Sequence, residues 1–187
     1  MTTPGTAELI RLVDDAVSRD SVSETVEAIK GSLCKLIRSS QIELPAEFTE
    51  PVDGHYARRL LHINDDLGYS IVVMTWGPGQ KTPIHDHSGM WCVEGVWGGS
   101  IDVQQYELTE EKAGHFRFEP RNSYEAGVGS AGCLIPPYEY HSISNACGDR
   151  PAVSLHIYGG EMKCCSVFVK QPNGSFKRAE RQLGYDN

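Results

Sequence analysis

The cadence of the chain after Pro45 constrains its fold more than any other feature. Short runs rich in β-branched and aromatic residues follow one another: "YARRLLHI", "YSIVVMTW", "WCVEGVW", "SIDVQQYEL", "GHFRFEP", "GCLIPP", "AVSLHIYGG" and "CCSVFVK". Runs of this length suit strands. The breaks "NDDLG", "GPGQ", "GGS", "GVGSAG" and "PNGS" carry the turn residues that reverse a chain over a few positions. No helix-length stretch intervenes between them, so the pattern predicts an antiparallel sandwich or barrel and excludes a parallel α/β sheet.

Before Pro45 the period changes. Leu9, Ile10, Leu12, Val13 and Val17, then Val26, Ile29, Leu33 and Ile37, recur at helical spacing. "SVSE" at 21–24 reads as a capping box that opens a second helix. The expected organisation is a single domain over 1–187, with a helical segment at 1–45 and a barrel at 46–187. With 187 residues, such a chain buries a sizeable core without staples.

Six cysteines follow no metal-finger spacing, and the neighbours Cys164 and Cys165 are poor disulfide partners for each other. Reduced thiols in a cytoplasmic protein are the expectation. The N-terminus lacks a cationic start followed by an apolar run, and no apolar stretch is long enough to span a bilayer. A net charge of -8 without a long basic run disfavours a nucleic-acid partner and makes a small molecule the expected ligand. No membrane partner is expected, and a monomer or small homo-oligomer is.

Chemistry concentrates in "GQKTPIHDHSGMWCVEG" at 79–95. His85 and His87, two apart on an extended strand, point to one face and can converge on a metal ion. Asp86 points to the other face and reads as a positioning or solvated residue. Taken alone, the H-x-H pair is equally compatible with a surface accident.

Two wider spacings resolve that ambiguity. Five residues separate Gly79 from His85, and Pro137-x3-His141-x3-Asn145 follows later. Together they resemble the two halves of the cupin signature, which implies a mostly β fold: a small antiparallel jelly-roll barrel, here with N-terminal α-helices, whose mouth gathers His85, His87 and His141 on one metal. Most cupins add a glutamate three or four residues after the second histidine. Here Trp91 and Cys92 stand at those positions, and Glu94 lies two or three residues late.

Among cupins, three histidines without the carboxylate resemble the thiol dioxygenases, and the likeness to the cysteine dioxygenase family extends over roughly 50–170. In "YARRLL" the resemblance implies Arg58 as a clamp for the substrate carboxylate, with Tyr56 lining the pocket. In "SLHIY" it implies Ser154, His156 and Tyr158 as a hydrogen-bonded chain that orients the tyrosine. Cys92 falls where some relatives carry a cysteine joined to that tyrosine by a thioether, and Cys165 falls near the active-site entrance. The implied cofactor is Fe(II), with no organic cofactor. The implied reactants are a small thiol and O2, giving the sulfinate.

Each assignment has a plainer rival. Arg58 is one of two adjacent arginines and reads equally as a solvated strand residue, although a guanidinium is the side chain best shaped to grip a carboxylate at two points. His156 and Tyr158 could simply pack in the core. His55, His62 and His115 read as surface or structural residues, and Cys34, Cys133 and Cys147 as ordinary thiols. Relatives acting on 3-mercaptopropionate or mercaptosuccinate keep the three histidines and alter the clamp, and Gln80 is positioned in sequence to reach such a substrate. Outside this class stand a metal-binding cupin without catalysis and a cupin sugar isomerase. The missing glutamate disfavours the isomerase.

Overall fold

The computed structural model describes residues 3–186. Helix α1 (Pro4–Val17) is capped by Thr3, whose hydroxyl accepts the Thr6 N–H at 3.3 Å. Helix α2 (Val22–Arg38) is capped by Ser21, which accepts the Glu24 N–H at 3.2 Å, so the "SVSE" signal marks the helix start. Both helices turn their apolar stripe inward: Leu9, Val13, Val26, Ile29 and Leu33 are all buried to 1% exposure or less.

That stripe packs on one face of a five-stranded antiparallel sheet. Its order is β1 (Ala57–Asn64), β2 (Tyr69–Trp76), β9 (Ala152–Tyr158), β4 (Cys92–Gly98) and β7 (Ala131–Leu134). Strand β2 is buried along its whole length because both faces are covered. Tyr69, Ile71 and Val73 point to the helices, whereas Val72, Met74 and Trp76 point into the barrel. The period of two is what lets one strand serve two cores.

The second sheet closes on itself in the order β10 (Cys164–Lys170), β11 (Phe176–Gln182), β6 (His115–Gly127), β5 (Ser100–Lys112), β8 (His141–Asn145) and β3 (Ile84–His85). Strand β3 completes the closure by pairing with β10. The fold is therefore mostly β and antiparallel, with two N-terminal helices, as the cadence predicts.

Two details differ from the sequence reading. The first strand begins at Ala57, within the "YARRLLHI" run, and the segment before it holds only a short 3-10 turn at Ala46–Phe48. The intervening segment is tied to the sheet through its main chain: Thr75 Oγ1 donates to the Phe48 carbonyl at 2.7 Å and Trp97 Nε1 to the Ile42 carbonyl at 2.8 Å. Strand β6 runs on past Pro120 to Gly127 because the β5–β6 register shifts between Gln104 and Tyr106, and Pro120 sits beside that irregularity. Strands β3, β8 and β11 are two-residue, polar or charged, and exist only through their long-range partners.

Candidate active site and metal centre

The closure of the second sheet builds the site. His85 on β3 and His141 on β8 are Cα partners across the ladder, and His87 follows two residues later with its ring on the same side. The three Nε2 atoms converge: His141 Nε2 lies 3.1 Å from His85 Nε2 and 3.2 Å from His87 Nε2. His87 and His141 are buried, and His85 is half-buried at the cavity. Desolvation first, and then the neighbouring imidazoles, push the His85 pKa down to about 3 and that of His141 well below its ordinary value. His85 and His141 therefore present neutral nitrogens with lone pairs, the form that ligates a metal.

Behind each ring an oxygen faces Nδ1. The Pro83 carbonyl lies 3.1 Å from His85 Nδ1. One Glu139 oxygen accepts the His87 main-chain N–H at 2.8 Å and sits 3.2 Å from His87 Nδ1. Glu94 Oε1 lies 3.7 Å from His141 Nδ1. The first two are within hydrogen-bond reach and hold the proton on Nδ1 of His85 and His87. The Glu94 oxygen is too far to bond, and His141 Nδ1 has no partner among the described residues. With all three Nε2 atoms convergent, the donor set fits a bound transition metal. Asp86 points away, as expected, and its Oδ1 accepts the N–H groups of Ser88 at 3.2 Å and Ser166 at 2.8 Å, stitching the histidine loop to β10.

A cavity opens beside His85. Tyr56, Arg58, Trp76, His156, Tyr158, Met162 and Cys165 contribute to its wall. Arg58 is 4% exposed; its Nη1 donates to the Gly184 carbonyl at 2.9 Å and its Nη2 to the Met162 carbonyl at 3.3 Å, while Nε is buried without a partner among the described residues. Tyr56 stacks on Trp76 with ring centroids 4.6 Å apart. Burial pushes the Cys165 thiol up to about 11.

Ser154 and His156 are joined at 2.8 Å, and Trp76 Nε1 donates to the same Ser154 hydroxyl at 2.9 Å. The serine thus has its hydroxyl proton for His156 Nε2, and the other imidazole nitrogen faces Glu94 Oε2 at 3.7 Å. The expected continuation to Tyr158 is not made. His156 and Tyr158 stack at 6.0 Å with their planes 20° apart, and no hydrogen bond joins them among the described residues. Two residues apart on one strand face, the rings lie side by side, and the hydrogen-bonded chain runs Trp76–Ser154–His156 instead.

Cys92 is the Cα partner of Tyr158 across β4 and β9, and both are buried to 1% exposure or less. Burial raises both the thiol and the phenol well above their ordinary pKa values, so both are protonated.

Gln80 lies outside this cavity. Its Oε1 accepts the Gly77 N–H at 2.7 Å and its Nε2 donates to the Val52 carbonyl at 2.7 Å, so both ends of the amide are taken up by the turn it closes. A substrate-binding role for Gln80 is therefore withdrawn.

Glu139 carries no signal in the sequence motifs, because it lies in the loop before β8 and meets His87 only through the fold. Glu94, which stands two or three residues late for the missing cupin glutamate, is buried on the barrel side of β4, two residues after Cys92. Burial pushes Glu94 up to about 8.

The barrel and its histidine-lined mouth define a cupin-type protein with a candidate metal centre. The chain belongs to the cysteine dioxygenase type I family, whose family model matches residues 2–171. It is 23% identical over 164 residues to cysteine dioxygenase type 1 of Rattus norvegicus, covering 87% of this chain and 78% of that one. The human protein of the same name is 23% identical over 163 residues, with the same coverage. Among solved structures, a conserved protein with a double-stranded β-helix domain from Klebsiella pneumoniae superposes with a TM-score of 0.48 at 18% identity, over 65% of this chain and 85% of that one. The chain is thus an oxidoreductase, a thiol dioxygenase of cupin type. A small-molecule substrate and O2 follow from that membership, and no described helix is long and apolar enough to cross a membrane.

Proposed function

We propose that this enzyme oxidises L-cysteine with O2 to cysteine sulfinate, using Fe(II) held by His85, His87 and His141. The observation that carries the reading is the unpaired Arg58 Nε–H, buried on the same cavity as His85 and Tyr158. A buried cationic group with an unmatched donor is costly, and a substrate carboxylate satisfies it. The names of the family and of its relatives support cysteine as the thiol.

Bound iron would supply the Lewis acidity and one-electron chemistry that join O2 to a thiolate. The rest falls to the chain. Arg58 pairs with the carboxylate and fixes the distance from that end of the substrate to its sulfur. Glu139 and the Pro83 carbonyl hold the His87 and His85 rings in the tautomer that leaves Nε2 open. Tyr158, still protonated, offers its O–H as a hydrogen-bond donor inside a wall otherwise formed by Trp76, Met162 and Cys165, which excludes water. Both oxygen atoms pass to sulfur, so the thiol itself supplies the electrons and no external reductant is consumed.

The test is oxygen uptake. Protein loaded anaerobically with Fe(II) is given cysteine, 3-mercaptopropionate, mercaptosuccinate or cysteamine, and O2 is then admitted. Cysteine is expected to be consumed fastest and to appear as the sulfinate, with Zn(II)-loaded protein inert. Preferred turnover of another thiol would reassign the substrate, and equal turnover with Zn(II) would remove iron from the reading.

A further inference from the structure

Residues 183–186, which follow β11 and lie beyond the family match, are built against Arg58. Strand β1 is the edge of the five-stranded sheet, so the outward main-chain groups of Arg58 need partners from elsewhere. Asp186 supplies them: its N–H donates to the Arg58 carbonyl at 2.7 Å and its Oδ2 accepts the Arg58 N–H at 2.8 Å. The other carboxylate oxygen lies 2.9 Å from His55 Nε2. The Gly184 carbonyl takes the guanidinium Nη1, and the Tyr185 ring lies under the same group at 5.3 Å. Leu183 donates its N–H to the Lys163 carbonyl at 2.8 Å and lines the cavity.

These contacts grip Arg58 at its main chain, at one face of its guanidinium and at one of its terminal nitrogens. With Nη2 taken by the Met162 carbonyl, the guanidinium nitrogen left without a partner among the described residues is Nε. A free arginine samples many rotamers, and ordering it at the moment of binding weakens the grip on a carboxylate. A strap that has already ordered it removes that cost. A segment that merely covered the sheet edge would need only the main-chain pair.

We propose that residues 183–186 form a strap that positions Arg58, with Asp186 as its anchor, and that the strap sets the preference for thiols bearing a carboxylate. This rests on the reading of Arg58 as the carboxylate clamp. Asp186 is a positioning residue, since it acts through Arg58.

The experiment compares the Fe(II)-loaded parent with its Asp186→Ala and Asp186→Asn variants. The Michaelis constant for cysteine is expected to rise about tenfold in Asp186→Ala, with kcat and the constant for cysteamine within about twofold of the parent. Asp186→Asn keeps an oxygen for the Arg58 N–H and should recover most of the loss. Hydrogen exchange at the Arg58 amide gives a readout independent of the substrate: protection in the parent, lost in Asp186→Ala, supports the strap. An Arg58 amide that exchanges in the parent as fast as in a free peptide would overturn it, as would equal losses on cysteine and cysteamine. A wrong substrate shows differently, as a parent inactive on cysteine with a protected Arg58 amide, which leaves the strap standing and the choice of cysteine in error.

Discussion

At the residue scale, the three histidines differ from the other four in that their Nε2 atoms converge on one point. Each contributes a donor that alanine cannot replace. His141→Ala is expected to purify folded but to bind iron at least about tenfold more weakly, as measured by metal content after dialysis against a weak chelator. Full iron occupancy in that variant would contradict the ligand assignment. Arg58→Ala should lose on the order of 2 to 4 kcal/mol of apparent binding to cysteine and far less to cysteamine, which has no carboxylate. Comparable losses on the two thiols would make Arg58 a support of the fold. The pairing of Cys92 with Tyr158 across β4 and β9 sets up a third expectation. A fraction of the protein turned over with iron, cysteine and O2 should become lighter by two hydrogens, and peptide mapping should join Cys92 to Tyr158. An unmodified Cys92 peptide under every condition would exclude the crosslink and leave the dioxygenase assignment intact.

At the element scale, the close seat of α2 on the sheet depends on a missing side chain. A Cβ built at Gly95 on β4 would meet Leu33 Cδ2 at 2.6 Å and Cγ at 3.0 Å, with Ile37 Cδ1 at 3.4 Å. Leu33 is fully buried and has little space into which to move. Gly95→Ala should therefore cost about 1 to 3 kcal/mol through overpacking, despite alanine's better fit to a strand backbone. Chemical denaturation measures this directly, and a variant as stable as the parent would show that the helix layer slides freely on the sheet. Strand β4 carries this helix contact on one face and Cys92 and Glu94 on the other, so a displaced α2 would reach the metal centre through a single strand.

At the scale of the whole molecule, burial of ionisable groups predicts how the metal-free protein responds to pH. His141 and His156 are held neutral, His156 with its pKa down to about 3, while Glu94 is up at about 8. Below their unfolded value near 6.5, the histidines bind more protons unfolded than folded, so each removes stability as pH falls. Glu94 binds more protons folded than unfolded between about 4.5 and 8, and it adds stability as pH falls through that window. The sum favours a stability maximum near pH 6.5. His85, also held down to about 3, acts in the same sense. With three histidines against one glutamate, the loss on the acid side is about 2.7 kcal/mol per pH unit down to about 4.5 and about 4 below, and above 6.5 Glu94 alone gives a decline of about 1.4 per unit. Denaturant midpoints measured on metal-free protein between pH 4 and 8 check this, and a stability still rising between pH 7 and 8 would contradict the placement of Glu94.

The sequence alone determined the two helices and the antiparallel strand-and-turn cadence, because each is written in local spacing: 3.6 residues for the helices and two for the strands. It named His85, His87 and His141 as candidate ligands and Arg58 as a candidate clamp only through spacings shared with a family, and the structure gathers the three histidines and sets Arg58 in the cavity wall beside them. The tertiary structure decided what depends on partners far along the chain. Strand β11 has a charged, unpatterned sequence and exists because β10 and β6 flank it. Gln80 stands beside the motif in sequence, yet its amide is spent on Gly77 and Val52, which no spacing rule foretells. Glu139 acts 52 positions from His87, and Asp186 acts 128 positions from Arg58. Local periodicity fixes which face a side chain occupies, but only the closed barrel fixes which distant face it meets, and there the carboxylate that orients His87 and the strap that holds the arginine are assembled.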